Sequence, residues 1–288
     1  MFRTQDKSSI SHKARLTALL ASTALIAANP VFAGDLPTGG TVSAGAASIG
    51  ASQNGTITIN QSSANAVINW QSYNIGQGNT VVYHQPDAAS SILNRVTGGT
   101  TTTIAGGLVA NGQVYLINPN GIAITPTGTI KTGAFVASTL GITDDDFMSG
   151  KRSFTGNGAS NSVTNAGAIT IARGGYMALI GGSVANSGTI SVPEGRAALG
   201  SGERATLDLS GDGFLQVAIP TQAGGSDALV ANSGVISASG GKVELKAAAA
   251  RDMARQAVNM SGTIEARTVS GRSGEEMPTV GERHGRGS

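Results

Sequence analysis

The chain has 288 residues, 42 glycines, no cysteine and a formal net charge of +2 at pH 7. Only 4% of the residues are aromatic and 12% are charged, which favours many short strands joined by tight turns over a helical bundle. The lack of cysteine excludes disulfides, thiolate zinc sites and thiol nucleophiles.

Residues 1–33 are predicted to be a signal peptide. An uncharged apolar run at 16–28 is too short to span a bilayer comfortably, and small residues at Val31 and Ala33 favour cleavage after Ala33. A single anchoring helix is the alternative. The basic residues before this run are Arg3, Lys7, Lys13 and Arg15. With Asp6 they contribute +3, so the remaining chain carries −1, and nucleic-acid binding has no electrostatic basis.

Two segments after the leader, 41–59 and 66–70, have the composition of short strands. We expect them to form an N-terminal cap over the first layer of the fold. Such a cap would prevent an open sheet end from pairing with another molecule.

Residues 69–147 carry a series of short motifs in a fixed order. These are Asn69-Trp70-Gln71, Asn74-Ile75, Gln85-Pro86, Leu93-Asn94-Arg95-Val96, Asn111-Gly112-Gln113-Val114, Ile117 to Ile122 and Val136 to Leu140. The series resembles the filamentous haemagglutinin N-terminal domain, also called the haemagglutination activity domain, which is the secretion domain of two-partner secreted proteins. The resemblance covers roughly residues 41–266 and implies a secretion domain over 34–266.

The resemblance also implies candidate site residues. Asn118, Pro119, Asn120, Gly121 and Ile122 match the family's NPNGI motif, in which proline, asparagine and glycine suit a tight turn. This secretion motif either contacts the transporter or only shapes a turn of the fold. The second-rank candidates are Asn69, Trp70, Gln85, Pro86, Asn94 and Arg95. The separate NPNL motif of some family members is absent.

A Gly-Xaa-Ile pattern recurs along the chain. It begins at Gly55, Gly128, Gly167, Gly188, Gly234 and Gly262. An asparagine precedes the last four, and the interval from Asn165 to Asn186 is one coil of a β-solenoid. We expect an all-β, right-handed parallel β-helix, with asparagines at successive corners forming an amide ladder. An antiparallel β-sandwich is the competing fold.

Three further segments have patterns of their own. Residues 205–219 alternate around Gly211-Asp212-Gly213 and predict a β-hairpin outside the solenoid, packed on its side. Residues 246–258 are alanine-rich and predict one short α-helix near the C-terminus that shields an edge or a lateral face. Residues 267–288 are polar and glycine-rich, and are interpreted as a disordered tail.

Candidates for chemistry are few. Asp144-Asp145-Asp146 is the only acidic cluster, and its consecutive residues either point to opposite faces of a strand or cap a short turn, which disfavours a lyase site. His84 follows a strand-like run and is interpreted as structural. We therefore expect no enzyme activity, no cofactor and no metal.

The function implied by the resemblance is that of an exported, adhesin-type passenger. The expected partners are the general secretory machinery, then a cognate outer-membrane β-barrel transporter with periplasmic docking modules, and a host glycan or surface. The expected location is secreted or at the surface of a Gram-negative bacterium, where the domain nucleates folding. The alternative is a surface carbohydrate or host-cell binding module that acts by itself.

Overall fold

The computed structural model describes residues 36–211, 213–221, 229–248 and 257–266. In these residues the chain winds repeatedly through three long sheets, and neighbouring coils pair in parallel and in register. This architecture is a parallel β-helix, so the predicted solenoid is confirmed. The predicted signal peptide and the predicted tail both lie outside the described residues.

The strands are short, as the composition predicts. Strands β1 to β9 are Thr41–Ala44, Ala47–Ile49, Thr56–Gln61, Asn65–Trp70, Thr80–His84, Ser91–Val96, Thr102–Ile104, Gly107–Ala110 and Gln113–Ile117. Strands β10 to β18 are Ile122–Ile124, Thr129–Thr132, Ala134–Ser138, Ser153–Thr155, Ser162–Asn165, Ala168–Ile171, Tyr176–Gly181, Ser183–Asn186 and Thr189–Ser191. Strands β19 to β26 are Arg196–Ser201, Arg204–Leu207, Leu215–Ala218, Val230–Asn232, Val235–Ser237, Lys242–Ala247, Val258–Met260 and Thr263–Glu265. Helix α1 is Asp144–Met148.

Each complete coil adds one strand to each of the three sheets. Sheet 1 has the order β1-β4-β6-β9-β12-β16-β19-β24, and sheet 2 the order β2-β3-β5-β8-β11-β15-β18-β23-β26. Sheet 3 has the order β25-β22-β17-β14-β10-β7. Hydrogen bonds between coils therefore satisfy the backbone, which no single coil could do alone.

The Gly-Xaa-Ile repeats form one column of the core. All six isoleucines lie on sheet 2, and in-register pairing aligns them with aliphatic residues of the coils between. The column runs Ile57, Val81, Leu108, Ile130, Ile169, Ile190, Ile236 and Ile264. Since strand residues alternate between faces, the isoleucine of each repeat points to the core at the same position of its coil.

The predicted asparagine ladder spans three coils. The Asn165 amide donates to Asn186 Oδ1, and the Asn186 amide donates to Asn232 Oδ1, each at 2.7 Å. All three side chains are buried. The next coil places Met260, not Asn259, opposite Asn232, so the ladder does not continue into β25.

The predicted N-terminal cap is present over residues 41–49. Residues 56–59 and 66–70, which were expected to form part of it, lie instead in the coil strands β3 and β4, because they pair in parallel with β5 and β6. Strands β1 and β2 run antiparallel to β4 and β3, whereas the coils themselves pair in parallel. The cap thereby occupies the outer edge of the first strand in sheets 1 and 2.

The predicted hairpin outside the solenoid is also present. Strands β20 and β21 pair antiparallel, and β13 joins them as a third strand. Together with α1 they form what we call the lateral module. Its aromatic residues Phe147, Phe154 and Phe214 are fully buried against the outer face of sheet 1. The column they cover is Val67, Leu93, Tyr115, Val136, Ala178 and Ala198.

The prediction of a helix over 246–258 is wrong at both ends of this segment, which the structure describes. Lys246 lies in β24, paired with Gly200, and Val258 lies in β25, paired with Val230. Residues 249–256 lie outside the described part of the chain. Pairing with the preceding coil outweighs helix propensity here, since propensity is a weak preference compared with tertiary contacts. The described helix that shields sheet 1 is α1, formed by the acidic cluster.

Candidate recognition site

The NPNGI motif forms the corner between β9 and β10. The Gly121 N–H donates to the Asn118 carbonyl at 3.1 Å, which closes a tight turn. Gly121 has φ of +111°, a conformation that side chains disfavour. Within the turn the Asn118 Oδ1 accepts from the Asn120 backbone N–H at 2.9 Å. The motif residues thus determine the path of the chain at this corner.

The same corner braces the coils on both sides of it. The buried Asn118 amide donates to the Thr100 carbonyl and to Thr102 Oγ1, both at 2.9 Å. On the following coil, the Asn161 amide donates to the Pro119 carbonyl at 2.8 Å. The Asn120 amide donates in turn to the Gly98 carbonyl of the preceding coil at 2.8 Å. Ile122 is buried in the core, and Pro119 is the exposed side chain of the motif.

Trp70 and Asn94 meet in a polar cluster inside the solenoid. Asn94 Oδ1 accepts from Trp70 Nε1 and from the Tyr83 hydroxyl, each at 2.9 Å. The Tyr83 and Tyr73 hydroxyls are 2.6 Å apart. Burial raises the pKa of Tyr83 well above its ordinary value, so the phenol remains protonated and can donate. Both predicted candidates therefore have internal partners.

Gln85 and Pro86 follow strand β5 and lie in different environments. The Gln85 amide donates to the Ser90 carbonyl at 2.9 Å and to Gln61 Oε1 at 3.1 Å. Its Oε1 accepts from the Gly112 N–H at 3.0 Å, so the side chain links three coils. Pro86 is exposed.

Arg95 and Asn69 connect the coils to helix α1. Arg95 pairs with Asp144 at 2.6 Å and donates to the Ile142 carbonyl at 2.7 Å and to Asn69 Oδ1 at 3.1 Å. Asp144 also accepts from the Ser43 hydroxyl of the cap at 3.0 Å. This cluster therefore joins the cap, two coils and the lateral module.

The predicted candidates occupy separate clusters, and the structure does not bring all of them into one pocket. Sequence reasoning missed Tyr73 and Tyr83 as partners of Asn94, because their hydroxyls meet only once the coils stack. It also missed Arg152, which is buried, donates to the Tyr115 hydroxyl at 2.8 Å and lies over the Phe147 ring at 4.4 Å. Its charge, in a chain with only 12% charged residues, was the available signal.

The described residues contain no group of three or more side chains suited to hold a metal ion. Asp144, Asp145 and Asp146 form the first turn of α1, where Thr143 caps the helix by accepting from the Asp146 N–H at 3.1 Å. His84 is exposed at the end of β5. No described helix has the length and apolar character needed to cross a membrane.

A capped parallel β-helix whose motif residues form internal braces defines a scaffold or recognition domain. The family model described as "TPS secretion domain", for two-partner secretion, matches residues 33–285. The chain therefore belongs to the family of TPS secretion domains.

The chain is similar to two Haemophilus influenzae proteins, one by sequence and one by structure. A heme/hemopexin-binding protein is 34% identical over 272 residues, and the match covers 92% of this chain and 29% of that relative. The crystal structure of the HMW1 secretion domain superposes with a TM-score of 0.65 and 30% identity, covering 80% of this chain and 64% of the other. The chain thus spans less than a third of the length of the curated relative.

Membership of the family fixes the general function. The chain carries the secretion domain of an exported passenger, the kind of domain that an outer-membrane transporter recognises. These relatives are described as secretion domains or binding proteins, not as enzymes.

Proposed function

We propose that the NPNGI motif supports export by fixing a coil corner rather than by presenting side chains to the transporter. The observation that carries this proposal is the burial of Asn118, whose amide nitrogen and oxygen are both bonded inside the domain. A side chain in this position can act on export through folding. It cannot contact a partner of the folded domain without leaving the corner.

The chain's chemistry also supports the other steps of the export route. Residues 1–33 lead the chain through the general secretory machinery, and periplasmic docking modules of the transporter then receive it. A chain without cysteine forms no disulfide bond that would obstruct its passage through the transporter. At the cell surface each coil adds to the previous one, so the domain nucleates folding in the N-to-C direction. Binding of a host glycan is not part of this proposal.

The test compares Asn118→Ala and Gly121→Ala with Pro119→Ala, in cells that contain the cognate transporter. Asn118→Ala leaves buried polar groups without partners, and Gly121→Ala places an alanine at a positive φ. Each change should lower the free energy of unfolding by about 1–3 kcal/mol. We expect both to lower secretion and, after purification and refolding, to lower the free energy of unfolding. Pro119→Ala, at the exposed position, should change neither strongly.

If the motif instead contacts the transporter directly, secretion and stability should change independently of each other. Asn118→Ala would then reduce secretion while the refolded domain kept its wild-type stability, and Pro119→Ala would impair secretion as well. Either result would overturn the proposal, whereas loss of both secretion and stability would support it.

A further inference from the structure

The chain leaves the solenoid twice to build the lateral module, and these crossings meet at one place. The first excursion returns through residues 156–161 before β14, and the second departs at residues 202–203 after β19. The second excursion then ends at 219–221, after β21. Glu203 lies where the three segments converge. Its backbone N–H donates to the Ile219 carbonyl and its carbonyl accepts from the Gly156 N–H, each at 2.8 Å.

The Glu203 carboxylate binds two of these segments together through its side chain. It is only 4% exposed. One oxygen accepts from the Gly158 N–H at 2.9 Å and the Ser160 hydroxyl at 2.7 Å, and the other accepts from the Ser160 N–H at 2.9 Å. The Thr221 side chain donates as well. The partners named here are all neutral.

A second buried carboxylate holds the far strand of the lateral module. Glu244, on the coil strand β24, accepts from the Leu215 N–H of β21 at 2.9 Å. Lys246 pairs with Glu244 at 3.0 Å and donates to the Leu215 carbonyl at 2.5 Å, so both backbone groups of Leu215 are bound by charged side chains. Lys242 pairs with the other Glu244 oxygen at 2.8 Å.

The coils themselves are joined by different chemistry. Their contacts inside the solenoid include the aliphatic column of sheet 2, the asparagine ladder and the Trp70–Asn94–Tyr83 cluster. These side chains are apolar, or neutral at neutral and acidic pH. The lateral module and the coils therefore depend on ionisation to different degrees.

We propose that protonation of Glu203 and Glu244 releases the lateral module from the solenoid while the coils remain stacked. A protonated carboxyl can no longer accept from every N–H and O–H that now faces it, and it loses its attraction to the two lysines. Release exposes the apolar outer column of sheet 1 and the aromatic residues that cover it. The proposal is independent of how the transporter recognises the chain.

The two carboxylates determine the direction of the pH dependence. Burial alone would raise the pKa of Glu203, but hydrogen bonds from Ser160, Thr221 and Gly158 hold it below its ordinary value. Burial acts on Glu244 in the same way, yet the partners Lys242, Leu215 and Lys246 lower its pKa to about 2. The stabilisation is therefore complete above the ordinary glutamate pKa of about 4.3 and is lost as the pH falls towards 2.

Other charged groups also contact the lateral module. Arg152 donates to Tyr115 and to the Phe147 carbonyl, and Arg196 lies within 3.4 Å of carbonyls in the β20–β21 turn. Asp208 caps that turn, and Asp144 joins α1 to Arg95. Hydrogen bonds from the backbone of Gly211 and Ser210 lower the pKa of Asp208, so its protonation would loosen the same module and act in the same direction.

The experiment is an acid titration of the purified full chain, from pH 7 to pH 2, with two probes. Emission from Trp70, the only tryptophan, reports the core of the coils, and an apolar-surface dye reports the outer face of sheet 1. We expect dye fluorescence to rise several-fold at a higher pH than the change in Trp70 emission. Coincident transitions of the two probes would overturn the proposal.

Two substitutions isolate the carboxylate. Glu203→Gln should bind the dye at pH 7 with unchanged Trp70 emission, because an amide cannot accept at both of its atoms. Glu194→Gln is the matched control, since Glu194 is an exposed carboxylate at a coil corner paired with Arg173. Equal dye binding by Glu203→Gln and Glu194→Gln at pH 7 would contradict the proposal. If Glu203→Gln fails to fold, the wild-type titration with its two probes still decides.

Discussion

At the scale of single residues, the family motifs serve as internal bonding groups. Asn94 shows this clearly, because one amide oxygen accepts from both Trp70 and Tyr83 in the middle of an apolar core. A buried polar group is tolerated only when it has such partners. The motif thus fixes which coil lies next to which, as Trp70, Tyr83 and Asn94 belong to three successive strands, β4, β5 and β6.

Replacing Asn94 by leucine tests this role. Asn94→Leu leaves the Trp70 N–H and the Tyr83 O–H without this acceptor, so we expect the free energy of unfolding to fall by about 2–4 kcal/mol. Urea unfolding followed by Trp70 emission measures the change. Asn60→Ala, at an exposed position of β3, should have little effect, and a similar loss in both variants would argue against the cluster.

At the scale of the element, periodic features were predictable and non-local ones were not. The Gly-Xaa-Ile repeats predicted the core column because each repeat carries the same local information. The helix predicted over 246–258 is wrong at its described ends, because local propensity carries no information about the neighbouring coil, which holds Lys246 in a strand. The candidate clusters were only partly predictable, since the motifs identify Asn94 and Arg95 but not Tyr83 or Ile142 as their partners.

The asparagine ladder gives a prediction at this scale. Asn186 makes two ladder bonds and Asn232 makes one, so Asn186→Ala should cost about 2 kcal/mol and Asn232→Ala about 1 kcal/mol. Denaturant unfolding of the two variants, with the wild type alongside, measures both values. Equal losses would show that the asparagines act independently at their own corners rather than as a ladder.

At the scale of the whole molecule, the cap controls association. Strands β1 and β2 occupy the edges that β4 and β3 would otherwise present, and an unpaired edge is a template for another chain. Sequence alone predicted the cap from the physical need to cover an edge. The antiparallel direction of its pairing had no sequence signal, because direction depends on how the chain turns between segments.

Deleting the cap tests its role. A chain that starts at Ala51 lacks both cap strands, and we expect it to self-associate, because two sheet edges are then free. Size-exclusion chromatography with light scattering gives the mass in solution. A chain that starts at Gly34 retains the cap and is the control. If the shortened chain stays monomeric at the same concentration, the first coil needs no cover.

The three-stranded part of the lateral module imposes an order of events on a chain that emerges with its N-terminus first. Strand β13 emerges early, but its partner β20 follows a later coil. The two strands cannot pair until the chain has emerged as far as Leu207, the last residue of β20. During that delay the edge of β13 has no strand to pair with, and an unpaired strand edge promotes aggregation. Under the proposed N-to-C export, the chain is therefore most prone to aggregate between the emergence of β13 and that of β20, and the rate of emergence sets the length of that interval.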